Sequence, residues 1–305
     1  MTGTTTKADW IAVDWGTTNA RAWAMGGANT VLAEALSDMG MARLDPSQYE
    51  AVLLDMIGDW LGDGTTPVII CGMAGARQGW IEAAYAAVPC PALSADLTPV
   101  PTDDARLQVS IIPGLKQDHP ADVMRGEETQ IAGFLSLNPR FDGVVCLPGT
   151  HTKWAHVSAS EVVSFQTAMT GDVFAAIAGH TVLRHSTTTD GWDDDAFATA
   201  LTEAQTRPET LAAHLFGIRA EGLLHGMGNE TARARLSGLL IGIELAATKP
   251  YWLGRDVALI GAPRLCALYE TALAAQGITA IRTKGDGMTR AGLCAARALT
   301  KPAKD

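Results

Sequence analysis

The sequence predicts an α/β protein of two similar lobes, each opening on three strands and continuing through helices and further strands. Three observations support this. IAVDWGTTNARAW (11–23) and VVCLPGTHTKWAHV (144–157) share one order: apolar strand, Gly-Thr turn, a basic residue (Arg21 or Lys153), then tryptophan. Each copy opens a strand run that gives way to segments of helical period. The length, 305 residues, also exceeds what one compact core usually fills.

Taken in order, Trp10–Trp15 is apolar and β-branched, and GTTN turns the chain into Ala20–Met25, with Thr30–Leu36 as the third strand. Pro46 starts a helix that reaches Trp60, because Val52, Leu53, Met56, Ile57 and Trp60 recur at helical spacing. Pro67–Cys71 is a short buried strand running into a glycine-rich loop, GMAGARQG, with a helix expected from Trp80. Gln108–Pro113 is a strand and Gly126–Leu137 a helix. At Asp142 the pattern restarts, with strands over GVVCL, KWAHVS and VVSFQTAM. Helices are expected over 172–183, 194–205, 208–226 and 230–248. Strand Val257–Gly261, helix Pro263–Gln276, strand Ile278–Thr283 and helix Met288–Leu299 complete the pattern. No Gly/Ser-rich linker separates the halves. The boundary is placed at Asn138–Pro139, giving an N-terminal lobe over 1–138 and a C-terminal lobe over 139–305.

Composition narrows the function. Charged residues make up 18% and hydrophobic ones 47%, as in a soluble globular protein. The formal net charge of −10, without a basic tract, argues against a nucleic-acid partner. No apolar run approaches the ~20 residues of a membrane span, and Met1–Asp9 lacks the apolar core of a signal peptide. Five scattered cysteines without a CxxC pair argue against a zinc site or a disulfide framework and fit a reducing cytoplasm. There is no GxxxxGK[ST] loop, no complete GxGxxG after a strand and no GxSxG elbow.

Four segments carry candidate chemistry. In Asp14–Trp15–Gly16–Thr17–Thr18–Asn19–Ala20–Arg21, Gly16 permits a tight turn, and the threonines and asparagine place donors at its tip. Asp14 ends the strand beside that tip, where a carboxylate can hold Mg²⁺ directly or through water. Pro148–Lys153 repeats the arrangement, with Lys153 as a point charge for phosphate. One such turn reads equally well as an ordinary polar hairpin, and the pair is the sharper signal. Met124–Gln130 crowds an arginine and two carboxylates at a helix start, which the helix dipole alone would favour. Val257–Pro263 ends a buried strand in small residues that let a flat ligand approach the backbone.

The order DWGTTNAR, MRGEETQ, LPGTHTKW, TAMTGD, SGLLIGIELA and ALIGA resembles the 2-dehydro-3-deoxygalactonokinase family of the actin–sugar-kinase–heat-shock-ATPase superfamily, over about residues 10–298. RGEETQ, PGTHTKW and SGLLIGIE are specific to that family, whereas DxGTTxxR is shared by the wider superfamily. The resemblance implies two ribonuclease-H-like βββαβα lobes with ATP in the cleft between them. It implies Mg²⁺-assisted transfer of the γ-phosphoryl group to the 6-hydroxyl of 2-dehydro-3-deoxy-D-galactonate, in galactonate breakdown. By the same resemblance Asp14, Gly16, Thr17, Thr18 and Arg21 fall on the first phosphate loop, and Gly149, Thr150, Thr152 and Lys153 on the second. Gly261 and Ala262 fall on the adenosine segment, where Ala-Pro after the glycine departs from many superfamily members.

Candidates for binding the sugar acid are Arg77, Trp80, Arg125, Thr170 and Gly171, with core packing an equal reading of Trp80. In the related glycerol and xylulose kinases the catalytic base is an Asp just after a Gly, at the start of the helix before the second hairpin. Glu127 after Gly126 stands in that place, one methylene longer, with Glu128 and Asp172 as alternatives. Two other functions stay in view: a kinase of this fold for another keto-deoxy acid or polyol, and a non-catalytic ATP-binding regulator. The partners expected are the sugar acid and ATP, with no membrane, and a homodimer is left open.

Overall fold

A computed structural model describes residues 7–300; the first six residues of the N-terminal stretch and the last five of the C-terminal lobe lie outside the described residues. In chain order the first elements are β1 (Trp10–Trp15), β2 (Ala20–Met25), β3 (Val31–Ser37), α1 (Tyr49–Ile57) and β4 (Thr66–Gly72). Five short strands follow: β5 (Tyr85–Ala87), β6 (Cys90–Pro91), β7 (Thr98–Val100), β8 (Leu107–Ile111) and β9 (Gly114–Gln117), then β10 (Asp122–Met124) and α2 (Glu127–Leu137). The pattern restarts with β11 (Gly143–Leu147), β12 (Thr152–Ser158) and β13 (Glu161–Ala168). Helices α3 (Thr170–His180), α4 (Asp194–Thr206), α5 (Leu211–Leu224), α6 (Asn229–Ala247) and α7 (Lys249–Trp252) come next. The described chain finishes with β14 (Val257–Gly261), α8 (Pro263–Ala274), β15 (Ile281–Lys284) and α9 (Gly285–Thr300).

The expected duplication is present. One sheet has the order β3-β2-β1-β4-β8-β7, and another contains the run β13-β12-β11-β14-β15. Strands β1, β4 and β8 run parallel, as do β11, β14 and β15. Both sheets therefore place a three-strand run beside two further parallel strands, the ribonuclease-H-like plan. A separate small sheet, β10-β9-β5, is an insertion that the sequence reading did not anticipate. Its strands are too short to show an apolar period.

The described residues divide into two compact units: residues 7–141, 157–164 and 285–300, and residues 142–156 and 165–284. The first crossing falls three residues beyond the expected boundary, and the last helix returns to the first unit. That return has a physical cause. Leu293 and Ala296 of α9 pack with Trp10, Ala12, Trp23, Met25, Ile69 and Cys71 on one sheet face, while Gln130 of α2 donates to the Thr289 hydroxyl at 3.1 Å. The tip of the β12–β13 hairpin also counts with the first unit, where Val162 pairs with Cys90 of β6.

Strand alternation fixes which residues reach the chemistry. On β1, Ile11, Val13 and Trp15 face the core under α1, with Leu53 and Ile57. Trp10 and Ala12 face the α9 side, so Asp14, in phase with them, points to that side at the strand end. On β2, Trp23 and Met25 share the α9 side, and Arg21 follows in phase. In the second unit, Val144, Cys146, Val257 and Leu259 form a core with Phe197, Leu201, Ile241 and Leu245 from α4 and α6.

One expected helix is absent. The chain from Trp80 folds back on the preceding loop instead: the Trp80 and Ile81 N–H groups both donate to Ala74 O, and Ala83 N–H donates to Gly75 O. These cross-loop bonds take the donors that a helix would need. Trp80 stacks on Tyr49, with ring centroids 5.8 Å apart, and lies edge-on to Trp15. All five cysteines are free thiols, and no described helix is long and apolar enough to cross a membrane.

Candidate active site

In the first unit the β1–β2 turn is closed by Gly16 N–H donating to Asn19 O at 2.8 Å. The carbonyls of Gly16, Thr17 and Thr18 accept from the N–H groups of Met41, Ala42 and Gly40. That support, more than 20 residues away in sequence, consumes the acceptors of the turn. Thr17, Thr18 and Asn19 are exposed at its tip, and among the described residues the N–H groups of Thr17 and Thr18 have no protein acceptor. Donors left over at a rigid tip suit phosphate oxygens. The turn borders a cavity of ≈ 560 Å³ lined by Asp14, Gly16, Thr18, Asn19, Arg21 and Asp38, among others.

Asp14 sits opposite Arg21 in the strand register and beside Cys71 of β4, whose thiol donates to Asp14 Oδ1 at 3.8 Å. Burial pushes the Asp14 carboxyl up to about 6; Arg21 draws it down, while Asp286 and Glu127 push it further up. Arg21 is committed elsewhere: its Nη1 pairs with Asp286 at 2.6 Å and its Nε with Glu34 at 3.7 Å. Asp286, at the start of α9, was not foreseen, because nothing in local spacing links it to a turn near residue 16.

At the start of α2, Gly126 has φ +103°, and a Cβ there would stand 3.4 Å from the Gly72 Cα at the end of β4. This close approach brings the helix start next to the Asp14 strand end. Glu127 is partly exposed, and its Oε2 accepts the Arg125 backbone N–H at 3.1 Å. Glu128 is 0% exposed, accepting from Gly126 N–H at 2.6 Å and from the Thr129 hydroxyl at 2.9 Å. Burial pushes its carboxyl up to about 8, aided by the charge of Glu127. Arg125 is buried, donating to Ala83 O at 2.7 Å. Arg77 is exposed and paired with Glu82 at 3.4 Å.

Among the described residues no group of three or more Asp, Glu, His or Cys side chains forms a ready metal cage. Magnesium does not require one, since it commonly takes one or two carboxylates with water and phosphate oxygens. The residues present fit that pattern. Burial, with the charges of Asp286 and Glu127, raises the Asp14 carboxyl to about 6, a field that a divalent cation would relieve.

In the second unit, Gly149 is half-buried and Thr150 and His151 are exposed at the turn after β11. Thr152 and Lys153 lie within β12 and are buried. The Thr152 hydroxyl meets the Tyr269 hydroxyl at 3.0 Å, and Lys153 Nζ donates to the Thr167 hydroxyl at 2.9 Å. The start of α3 leans on this turn. Asp172 N–H donates to Thr150 O at 3.1 Å, and the Asp172 carboxylate meets His151 Nε2 at 2.6 Å. Beneath lies a buried acid, Glu244 of α6, which accepts from Trp154 Nε1 at 2.7 Å, from the Tyr269 hydroxyl at 2.8 Å and from the Thr170 hydroxyl. Burial raises the Glu244 carboxyl and these donors draw it back down.

A cavity of ≈ 290 Å³ opens beside this turn, with Gly149, Gly171, Phe174, Arg233, Ala262 and Leu268 among its walls. That volume is close to the lower end of ligand pockets, about 300 Å³. A Cβ on Gly261, at the end of β14, would stand 3.1 Å from Pro148 O, and Ala262, just before α8, lines the cavity. Phe174 and Arg233 lie as a pair, 5.2 Å from ring centroid to guanidinium. Neither was foreseen, since both occupy helix faces whose period signals only burial.

A family model described as 2-keto-3-deoxy-galactonokinase matches residues 14–296. A Rhizobium meliloti (strain 1021) protein named "Probable 2-dehydro-3-deoxygalactonokinase" is 40% identical over 303 residues, covering 96% of this chain and 97% of that protein. The Escherichia coli (strain K12) 2-dehydro-3-deoxygalactonokinase is 34% identical over 291 residues, covering 94% and 96%. A crystal structure of a 2-dehydro-3-deoxygalactonokinase-type protein from Sinorhizobium meliloti matches with a TM-score of 0.89 at 40% identity, over 95% of this chain and 99% of that one.

Proposed function

Since this chain belongs to the 2-keto-3-deoxy-galactonokinase family and is a sugar kinase that uses ATP, we propose that it phosphorylates 2-dehydro-3-deoxy-D-galactonate at its 6-hydroxyl. The products are the 6-phosphate and ADP, and the step belongs to D-galactonate catabolism in the cytoplasm. The observation that carries the reading is the convergence of Asp14 and Glu127 at the joined ends of β1, β4 and α2, beside a turn with unspent N–H donors.

In this reading Glu127 accepts the proton of the 6-hydroxyl as its oxygen attacks the γ-phosphorus and the bond to the bridging oxygen of ADP breaks. Glu127 is the partly exposed carboxylate at the helix start, whereas Glu128 is sealed in protein and already accepts two hydrogen bonds. The Thr17 and Thr18 N–H groups orient phosphate oxygens, with Gly16 allowing the approach. Asp14 would hold Mg²⁺, which when bound neutralises charge developing on the transferred phosphoryl group. Arg21, already paired with Asp286, fixes the α9 start and its own strand instead of reaching out alone.

Within the second unit, the cavity lined by Gly149 and Ala262 takes the adenosine, with Thr150 at the turn beside it. Lys153 and Thr152 act from behind that turn, the one as a buried charge and the other as a buried support. Thr170 and Gly171 likewise shape the turn from α3.

The test is an ADP-release assay over a panel of keto-deoxy sugar acids and polyols, with ³¹P NMR locating the new phosphate. The expected result is turnover of 2-dehydro-3-deoxy-D-galactonate with the ester on C6. Preference for another acceptor, or an ester elsewhere, overturns the substrate assignment.

A further inference from the structure

Arg125 is 9% exposed, at the end of β10 just before the Gly126 turn. Its guanidinium lies over the Tyr85 ring at 4.3 Å, and Nη2 donates to Ala83 O at 2.7 Å. The other nitrogens, Nε and Nη1, are shut off from solvent and have no hydrogen-bond partner. Among the described residues no carboxylate forms an ion pair with it. Glu127, two residues on, instead accepts the backbone N–H of Arg125.

A buried cation without a counter-ion is costly, and each unmet donor adds to that cost. A purely structural role at this point would need only the bond to Ala83 and the contact with Tyr85, which a neutral side chain can supply. The glycine-rich loop is shaped around the charge: a Cβ on Gly75 would stand 2.8 Å from Arg125 Nη1. Cross-bonds from residues 76–83 tie the loop back to Met73, Ala74, Gly75 and Ala76, and Ala74 packs in the core under α1. By contrast Arg77, the other arginine of the segment, is 79% exposed at its side chain and already paired with Glu82, so water screens it.

We propose that Arg125 is the anchor for the carboxylate of the sugar acid, reached when the turn of residues 73–79, beyond the end of β4, shifts away from it. This rests on the keto-deoxy sugar acid reading above and gives its specificity a residue. The acid carries its carboxylate and its reacting hydroxyl at opposite ends of one six-carbon chain. Arg125 and Glu127 flank Gly126, so a single ligand lying across the helix start presents one end to each. The carboxylate supplies the charge and the acceptors that the protein withholds, in a site with little water to screen them. Neutral sugars and polyols leave the guanidinium unpaired and are rejected for that reason.

The experiment compares wild type with Arg125→Met and Arg125→Lys, using 2-dehydro-3-deoxy-D-galactonate and its C1 amide as the two probes. Wild type is expected to favour the acid over the amide by about 100-fold in kcat/KM, the scale of a charge-assisted pair. Arg125→Met should reduce that preference to within a few-fold while leaving KM for ATP unchanged. Without ligand it should melt at or above the wild-type temperature, because the unpaired charge is gone, and it should lose the thermal shift given by the acid. Arg125→Lys keeps charge without the planar fork and should retain part of the preference.

Undiminished preference for the acid in Arg125→Met overturns the proposal. So does a ligand-free melting temperature well below wild type, or failure to fold, combined with full preference in Arg125→Lys; each makes the arginine structural. If wild type itself turns over neither probe but accepts another sugar, the substrate reading fails first, and Arg125 is without its carboxylate.

Discussion

The Glu128 carboxylate folds back onto the Gly126 N–H at 2.6 Å, and in doing so leaves solvent completely. Its pKa is pushed up to about 8, mainly by burial, against an unfolded value near 4.5. The folded state therefore holds a proton that the unfolded state gives up between those values. Wild-type stability from this group falls as pH rises from about 4.5 to about 8 and is level above. Glu128→Gln reproduces the protonated form, so its stability relative to wild type should grow over that window. Urea denaturation at pH 5 and pH 9 checks this. An advantage independent of pH would mean that Glu128 is ionised in the fold.

Asp14→Asn should lower turnover by about 100-fold or more, the scale of a lost charge-stabilising group at a reacting centre. Added Mg²⁺ should not restore it. Near-normal turnover across a Mg²⁺ titration would reduce Asp14 to a residue of the turn.

Gly171→Ala places a Cβ 2.4 Å from Gly149 O and 2.7 Å from Thr150 Cα, so the second turn or the start of α3 must shift. The expected result is a rise in KM for ATP of about 10-fold with a stability loss of about 1–3 kcal/mol. KM for the sugar acid should stay near wild type. Unchanged ATP kinetics would separate this turn from nucleotide binding.

Glu244 gathers the Trp154 indole and the Tyr269 and Thr170 hydroxyls in a site only 4% exposed. Glu244→Ala strands those donors and should cost on the order of 3 kcal/mol in chemical denaturation. Because Tyr269 and Thr170 also line the cavity proposed for adenosine, KM for ATP should rise with it. A loss of stability with ATP binding intact would confine the cluster to folding.

Much of this was legible in the sequence wherever a local pattern sufficed. The alternation of WIAVDW and the small residues ending VALIG place Asp14 and Gly261 at strand ends, where the structure has them. The helix expected over 230–248 is present over Asn229–Ala247, although its period does not show that Glu244 is the buried hub of a polar cluster. The failures share a cause in distance. Trp80 sits in a segment whose donors go back to Ala74 and Gly75, so its apolar neighbours imitate a helix start. The supports of the first turn, Gly40 to Ala42 and Asp286, arrive from remote sequence and leave no spacing to read. Strand phase places Lys153, expected as a point charge for phosphate, where its Nζ donates to the Thr167 hydroxyl, a partner that no local spacing reveals.

The central claim is that Glu127 accepts the proton of the sugar-acid hydroxyl during phosphoryl transfer. It is tested most directly by rapid-quench single turnover of Glu127→Gln, with binding of ATP and of 2-dehydro-3-deoxy-D-galactonate measured in parallel. Both ligands should bind as in wild type, and the transfer rate should fall by about 100-fold or more. Transfer at the wild-type rate in Glu127→Gln, with a collapse in Glu128→Gln or Asp172→Asn instead, would contradict it.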